Sequence, residues 1–346
     1  MAHALLTIDC GAVVRNWRRL CEIHASGAVA AVVKADAYGL GAVPIAQALL
    51  AAGCRHFFVA LAEEGIALRQ ALGEGPMIAV LDGFKPGRHP TLTPVLNSLE
   101  AVRANVGPAI LHVDTGMSRL GLPLNELEAL AAEPALLAKF ELLYIMTHLA
   151  AAEDPGHPLN AAQINRFAEA CLKLPRARRS VANSSGIFLG GRFASDLARP
   201  GCALYGVNPT PGRPNPMEPV LRLEAQILQI RRIPTGQTVG YGGHWMASRP
   251  SRIATVGMGY ADGFSRALSG KACGVHDGQK FPMVGRISMD LMTFDVTDVP
   301  RIKRGRWIEL IGPGQDVDAL AAMTGTIGYE MLTSLGNRFR RDYIPA

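Results

Sequence analysis

The feature that most constrains this chain is a unit repeated between residues 28 and 206: a short continuous apolar run, a polar or glycine-rich turn, then a longer helical stretch. Eight such runs occur, at 28–33, 56–61, 77–81, 94–97, 109–113, 142–147, 180–183 and 197–204. A strand with one solvated face alternates apolar and polar residues. A run that is apolar throughout is buried on both faces, which requires a parallel sheet covered by helices. Helical periodicity at 43–52, 63–72 and 161–172 supplies that cover. The pattern predicts an α/β fold, a (β/α)8 TIM barrel.

After Pro219 the texture changes. Residues 221–233, 252–258, 279–284, 292–296 and 307–311 are strand-like, with turn signals at Asp277-Gly278 and Gly312-Pro313-Gly314, and helical periodicity returns near 317–323. We therefore expect a barrel domain over 1–218 and a mostly β C-terminal domain over 219–346. The proline- and glycine-rich segment 208–219 serves as linker, since those residues interrupt regular elements.

Composition narrows the function. Hydrophobic residues make up 49% and charged residues 18%, as in a soluble globular enzyme. The net charge of +6 is scattered, with only short basic clusters at 176–179 and 338–341, and aromatics are 6%. Nucleic-acid binding would need a basic face with interleaved aromatics, so no nucleic-acid partner is expected. The six cysteines show neither a CxxC pair nor metal-ligand spacing, and they read as reduced thiols of a cytoplasmic protein without a metal site. The longest uncharged stretch, 37–54, contains Gly39, Gly41, Pro44 and Gln47, which argues against a membrane span.

In such a barrel, ligands sit at the C-terminal ends of the strands, so the residues just after each run carry the information. The first run ends in Val33-Lys34-Ala35-Asp36-Ala37-Tyr38-Gly39. A partly desolvated lysine amine has a lowered pKa and can form a Schiff base; a lysine reaching solvent past the rim is the alternative. The fifth run leads into Asp114-Thr115-Gly116-Met117-Ser118-Arg119, the sixth into Thr147-His148, the seventh into Asn183-Ser184, and the eighth through Arg199-Pro200-Gly201-Cys202. Small residues there let backbone N–H groups approach a phosphate. Lysine, phosphate cradle, histidine and arginine on one rim describe a pyridoxal phosphate site.

The segments AVVKADAYGLGA (31–42), HVDTGMSRLG (112–121), THLA (147–150), ANSSG (182–186), RPGCALYG (199–206), VGYGG (239–243), VGMGYADG (256–263) and VGRISMD (284–290) resemble the alanine racemase family, nearly end to end and in the family's order. The resemblance implies interconversion of L-alanine and D-alanine for peptidoglycan. It also implies pyridoxal 5'-phosphate as cofactor, and a homodimer whose sites each combine one barrel with the partner's β domain. By that resemblance, Lys34 holds the cofactor and is the base for D-alanine, and Tyr241 is the base for L-alanine. Arg119 and Met289 bind the substrate carboxylate, and Tyr260 and Asp290 line the entrance and substrate side. Tyr38, Ser184, Gly201 and Cys202 fall on phosphate-binding positions, His148 beside the ring, and Arg199 at the ring nitrogen. An arginine can only donate hydrogen bonds, so that nitrogen stays unprotonated, which weakens the electron sink and favours return of the proton to the α-carbon.

Two positions depart from the family pattern. His112 stands where many members carry a lysine, sometimes carbamylated, that positions the arginine; a histidine, an ion or simple packing accounts for it. Asn337 stands where some relatives have a phosphate-contacting tyrosine, a contact that Tyr343 is placed to supply instead. Competing readings are an amino-acid racemase of broader or different specificity, a non-catalytic pyridoxal phosphate carrier, and a barrel decarboxylase. The C-terminal domain with Tyr241 opposes the second and Arg199 the third.

Overall fold

The computed structural model describes residues 3–85 and 88–346. The chain forms two compact units, one of Gly11–Glu218 and one joining the N-terminal segment through Cys10 to Pro219–Ala346.

In the first unit, seven parallel strands run in sequence order: Ala31–Val32, His56–Val59, Met77–Val80, Thr93–Leu96, Ala109–His112, Leu142–Met146 and Arg178–Ser180. The eighth, Leu197–Ala198, pairs in parallel with Ala28–Val29, the opening part of the first strand. Backbone bonds complete the ring: Ala30 N–H donates to Ala198 O at 2.9 Å, Val32 N–H to Pro200 O at 3.1 Å, and Arg199 N–H to Ala182 O at 2.8 Å. This is a closed (β/α)8 barrel, and closure leaves no edge strand. Helices Ala42–Ala51, Ala62–Leu72, Leu124–Ala132 and Pro158–Lys173 are part of its cover.

The physical origin of the continuous apolar runs is visible in how neighbours divide. Val95, Ile110, Tyr144 and Met146 pack together inside the barrel with Ala30, Val32, Phe58, Ala79 and Leu197. Their immediate neighbours Leu96, Leu111 and Ile145 face outward against Leu127, Leu130, Ile164 and Phe167 of the helices. Period-two alternation therefore persists, but both faces are dry.

Two strands differ from the sequence pattern: the seventh, expected over 180–183, lies at Arg178–Ser180, and the eighth is shorter. The eighth run, expected over 197–204, is a strand only at Leu197–Ala198, followed by a 3-10 turn at Cys202–Tyr205. Pro200 removes a ladder donor and Gly201 leaves the extended region (φ −119°, ψ −85°), so the chain turns at the rim.

The second unit is built on Leu221–Ile233, a 13-residue strand shared by several partners. Its first half pairs antiparallel with Ala4–Asp9 and Trp307–Ile311, and its second half with Ser251–Val256, which also pairs with Met292–Asp295. The hairpin of Cys273–His276 and Gln279–Pro282 turns at Asp277-Gly278, and Arg340–Ile344 runs parallel to Ala4–Asp9. Helices Val317–Thr324 and Gly328–Thr333 complete the unit. Residues 4–9, expected with the barrel, thus belong to the β sheet. Leu6 and Ile8 are fully buried there, and the pairing involves strands more than 200 positions away, which no local pattern encodes.

Because Ile8 is fully buried between Leu221 and Tyr343, Ile8→Ala should cost about 2–5 kcal/mol in urea unfolding. Hydrogen exchange should accelerate along Leu221–Ile233; acceleration confined to the barrel strands would contradict the assignment of this strand.

Candidate functional site

Lys34 follows the first barrel strand directly. Val33 N–H donates to Phe58 O at 2.8 Å on one side, and Val32 O accepts from the Tyr205 hydroxyl at 2.8 Å. The next four residues, Ala35, Asp36, Ala37 and Tyr38, all adopt the left-handed region with φ of 53–57°. For residues with a Cβ this costs ~1–2 kcal/mol each, so the turn needs external support. Asp36 Oδ1 accepts from Ala42 N–H at 2.7 Å, Glu64 Oε1 accepts from Ala35 N–H at 2.7 Å, and the Tyr38 ring packs on Tyr205 with centroids 4.8 Å apart. Lys34 is half-buried; burial and the positive charge of Arg119 lower its pKa, while Asp82 and Glu64 act against them.

Tyr38 is brought to the loop after the eighth strand. A Cβ on Gly201 would overlap the Tyr38 hydroxyl, so a larger residue there must displace that side chain. Ser184 Oγ accepts from Gly201 N–H at 2.9 Å and Ala203 N–H at 3.3 Å. Asn183 Oδ1 caps the short helix Ser184–Leu189 through Gly186 N–H. Tyr38, Ser184, Gly201 and Cys202 therefore share one corner of the rim, rich in N–H and O–H donors.

Arg199 is buried, and its hydrogen bonds go to neutral groups. It donates to Ser180 Oγ at 2.5 Å, Thr147 O at 2.6 Å and His148 Nδ1 at 3.4 Å. Burial pushes its pKa down to about 9, which still leaves it protonated at neutral pH. Because arginine only donates, His148 Nδ1 accepts and the proton sits on Nε2. Burial, then the charge of Arg199, holds His148 well below the usual histidine value, so it is neutral.

His112 is fixed in the opposite tautomer. The Asn97 amide nitrogen donates to Leu81 O at 2.8 Å and Val95 O at 3.3 Å, so its oxygen faces His112 Nδ1 at 2.8 Å. Nδ1 therefore carries the proton and Nε2 a lone pair. Burial, with Arg199 next, pushes this histidine down to about 4. Arg119 rides on an excursion closed by Leu122 N–H to His112 O at 2.8 Å. Inside it, Asp114 Oδ1 accepts from the N–H groups of Gly116 and Met117, both at 2.9 Å, and of Ser118 at 3.1 Å. The Arg119 side chain is exposed, yet its charge bears on Lys34, His112 and His148.

The remaining candidates lie in the β unit. Tyr241 is exposed at the tip of the hairpin pairing Thr238–Val239 with Trp245–Met246, between Gly240 and Gly242, both with positive φ. Tyr260 and Met289 come together because Gly259 has no room for a Cβ against the backbone of Ser288 and Met289. Tyr260 N–H donates to Ser288 O and Ala261 N–H to Met289 O, each at 3.0 Å. Arg338 bridges Asp262 and Asp290 at 3.0 and 2.8 Å. Tyr343 sits in the strand Arg340–Ile344 opposite Ile8, and Asn337 precedes that strand.

Several residues that build the rim escaped the sequence reading. Glu64 had a signal, as the third residue of a helix that follows a strand end. Asn97 had another, as the polar residue closing an apolar run. Tyr205 and Ser180 act by contacts that spacing does not reveal.

Gly201→Ala should push the Tyr38 phenol off the rim and weaken binding of a phosphorylated pyridine aldehyde about tenfold or more, at unchanged secondary structure; unaltered binding by titration would count against this corner. His112 gives a pH test. With its value near 4 in the folded state and near 6.5 unfolded, the unfolded chain gains the proton first as pH falls. The stability it contributes is complete above 6.5 and lost towards pH 4, by at most about 3 kcal/mol. His112→Asn should flatten the pH dependence of unfolding in that window by about one proton.

A family model described as alanine racemase, N-terminal domain, matches residues 8–209, and one described as alanine racemase, C-terminal domain, matches residues 220–343. An alanine racemase of Acidiphilium cryptum is 56% identical over 354 residues, covering 99% of each chain. One of Rhodospirillum rubrum is 49% identical, covering 99% of this chain and 96% of its own. The crystal structure of alanine racemase from Bartonella henselae, with covalently bound pyridoxal phosphate, matches with a TM-score of 0.93 at 45% identity, over 99% of this chain and 100% of that one. With both models matched and relatives of this identity aligned nearly end to end, this chain belongs to the alanine racemase family.

Proposed function

We propose that this enzyme interconverts L- and D-alanine with pyridoxal 5'-phosphate, using Lys34 and Tyr241 as bases on opposite faces of the substrate. The carrying observation is the barrel rim, where a half-buried lysine of lowered pKa, a donor-rich corner at Tyr38, Ser184 and Gly201, and a buried arginine meet. These residues fit the cofactor: the closeness of Tyr38 to Gly201 leaves no Cβ in the corner, and the buried donor Arg199 suits a ring nitrogen that accepts. The Bartonella henselae relative holds the same cofactor covalently, which supports the reading.

When bound, the cofactor supplies an electron sink that acidifies the α-hydrogen of an amino acid. Lys34 Nζ anchors it and, with its pKa lowered by burial, takes or returns the α-proton on one face. Tyr38, Ser184, Gly201 and Cys202 would hold the phosphate, and His148, neutral, would face the ring. Arg199 remains protonated and can only donate, so it keeps the ring nitrogen unprotonated and favours prompt return of the proton to carbon. Arg119 and the Met289 N–H bind the substrate carboxylate, and Tyr260 and Asp290 shape the way in.

Tyr241 Oη handles the proton on the other face, from the second subunit of a homodimer. Its exposure at a hairpin tip suits a side chain that works outside its own unit. The reaction runs in the cytoplasm, a reducing compartment that suits buried thiols such as Cys10, Cys54 and Cys171. Among the described residues, no helix is long and apolar enough to cross a membrane.

Chiral product analysis across L-alanine, L-serine, L-lysine and L-arginine should show alanine turned over fastest; a preference for another amino acid would replace the substrate assignment. Mixing inactive Lys34→Ala and Tyr241→Phe proteins should restore activity, since each hybrid dimer keeps one site with both bases. No recovery after demonstrated subunit exchange would place both bases in one chain. In deuterated water, Tyr241→Phe should lose α-hydrogen exchange from L-alanine while retaining slow exchange from D-alanine; equal loss from both would oppose the assignment of faces.

A further inference from the structure

Glu64 uses one carboxylate to tie together two strand ends. Its Oε2 accepts from Ala60 N–H at 2.8 Å and Leu61 N–H at 3.1 Å, closing the start of its own helix Ala62–Leu72. Its Oε1 reaches 29 residues back to the N–H of Ala35, at 2.7 Å. The first pair serves the entry to the helix; the third bond does nothing for the helix.

What the third bond holds is the peptide immediately after Lys34, at the entry to the left-handed run 35–38. Other hydrogen bonds of that run, Ala42 N–H to Asp36 Oδ1, Gly41 N–H to Asp36 O and Ala37 N–H to Val33 O, are local to it. Glu64 instead connects it to the second barrel strand, whose Phe58 O already receives Val33 N–H. Lys34 is thereby bracketed by one hydrogen bond on each side, both drawn to the same neighbouring strand and its following turn.

We infer that Glu64 is a positioning residue for Lys34, aiming its amine by fixing the peptide that follows it; this rests on the reading of Lys34 as the cofactor-bearing lysine. The charges bearing on that amine are Arg119 from the excursion after the fifth strand, Asp82 after the third and Glu64 after the second, and Glu64 is one of the two anions among them.

Position and charge can be separated in the holoenzyme. Glu64→Gln keeps the reach but has one acceptor oxygen and no charge, so it serves either Ala35 N–H or the Ala60 and Leu61 N–H pair but not all three, and Glu64→Ala serves none. Ser98→Ala serves as control, because it removes a comparable helix cap, Ser98 Oγ to Ala101 N–H at 3.2 Å, with no bond to the Lys34 turn. Hydroxylamine should release the cofactor from Glu64→Ala about tenfold faster than from wild type, the scale of one charge-assisted hydrogen bond, and from Glu64→Gln at a rate between the two. The pH midpoint of the bound-cofactor absorbance should fall in both Glu64 variants, since each loses an anion near the amine, and stay put in Ser98→Ala. Wild-type release and midpoint in Glu64→Ala, or the same changes in Ser98→Ala at equal thermal destabilisation, would overturn the inference. Borohydride labelling with peptide mapping keeps the two readings apart. Label on a lysine other than Lys34 removes the underlying assignment, whereas label on Lys34 with unchanged Glu64→Ala behaviour removes only the role of Glu64.

Discussion

A guanidinium buried to 4% exposure and held by neutral groups sets the character of the barrel mouth. Taking a charge out of water is costly unless each donor finds a partner. Arg199 finds Ser180 Oγ, Thr147 O and His148 Nδ1, which belong to the seventh strand and to the end of the sixth, while Arg199 itself follows the eighth. One side chain thus stitches the last three strands together. The same charge fixes the His148 tautomer and helps depress both His148 and His112, so the mouth is lined by neutral imidazoles around a permanent cation. An acid in its place would reverse each of these consequences.

The first strand contributes a second constraint, this time of the backbone. Four successive left-handed residues with side chains persist only where the surroundings over-determine them. Here the determinants are the Asp36 and Glu64 carboxylates and the Tyr38–Tyr205 ring contact. The turn delivers Tyr38 back across the rim to Gly201 while leaving Lys34 at the strand end. An ordinary right-handed turn would send the four side chains elsewhere, so the strain and the corner built from Tyr38, Ser184 and Gly201 are one feature.

Much of this was legible in the residues. Runs such as 109–113 and 142–147 are apolar throughout because Ile110 and Leu111, or Tyr144 and Ile145, face two different dry layers. The polar residues closing the runs, from Lys34 to Arg199, do converge at the strand ends. The eighth strand is shorter than its apolar run because 202–205 is as apolar as a strand yet forms a 3-10 turn that buries Leu204 and Tyr205, and burial alone does not distinguish the two. The N-terminal strand was placed in the wrong unit because Leu6 and Ile8 find their partners only after the chain has completed the barrel.

The sequence by itself determined the barrel, the β texture of the second unit and the chemical types gathered at the rim, since periodicity and strand-end residues are local properties of the chain. Tertiary structure alone decided which nitrogen of His112 and His148 carries the proton, that Gly201 lies against the Tyr38 hydroxyl, and that Glu64 reaches the peptide after Lys34. Each of these depends on a hydrogen bond or a steric contact between segments distant in sequence. Such contacts act through geometry at a resolution of tenths of an ångström, and a pattern of residue types carries no distances.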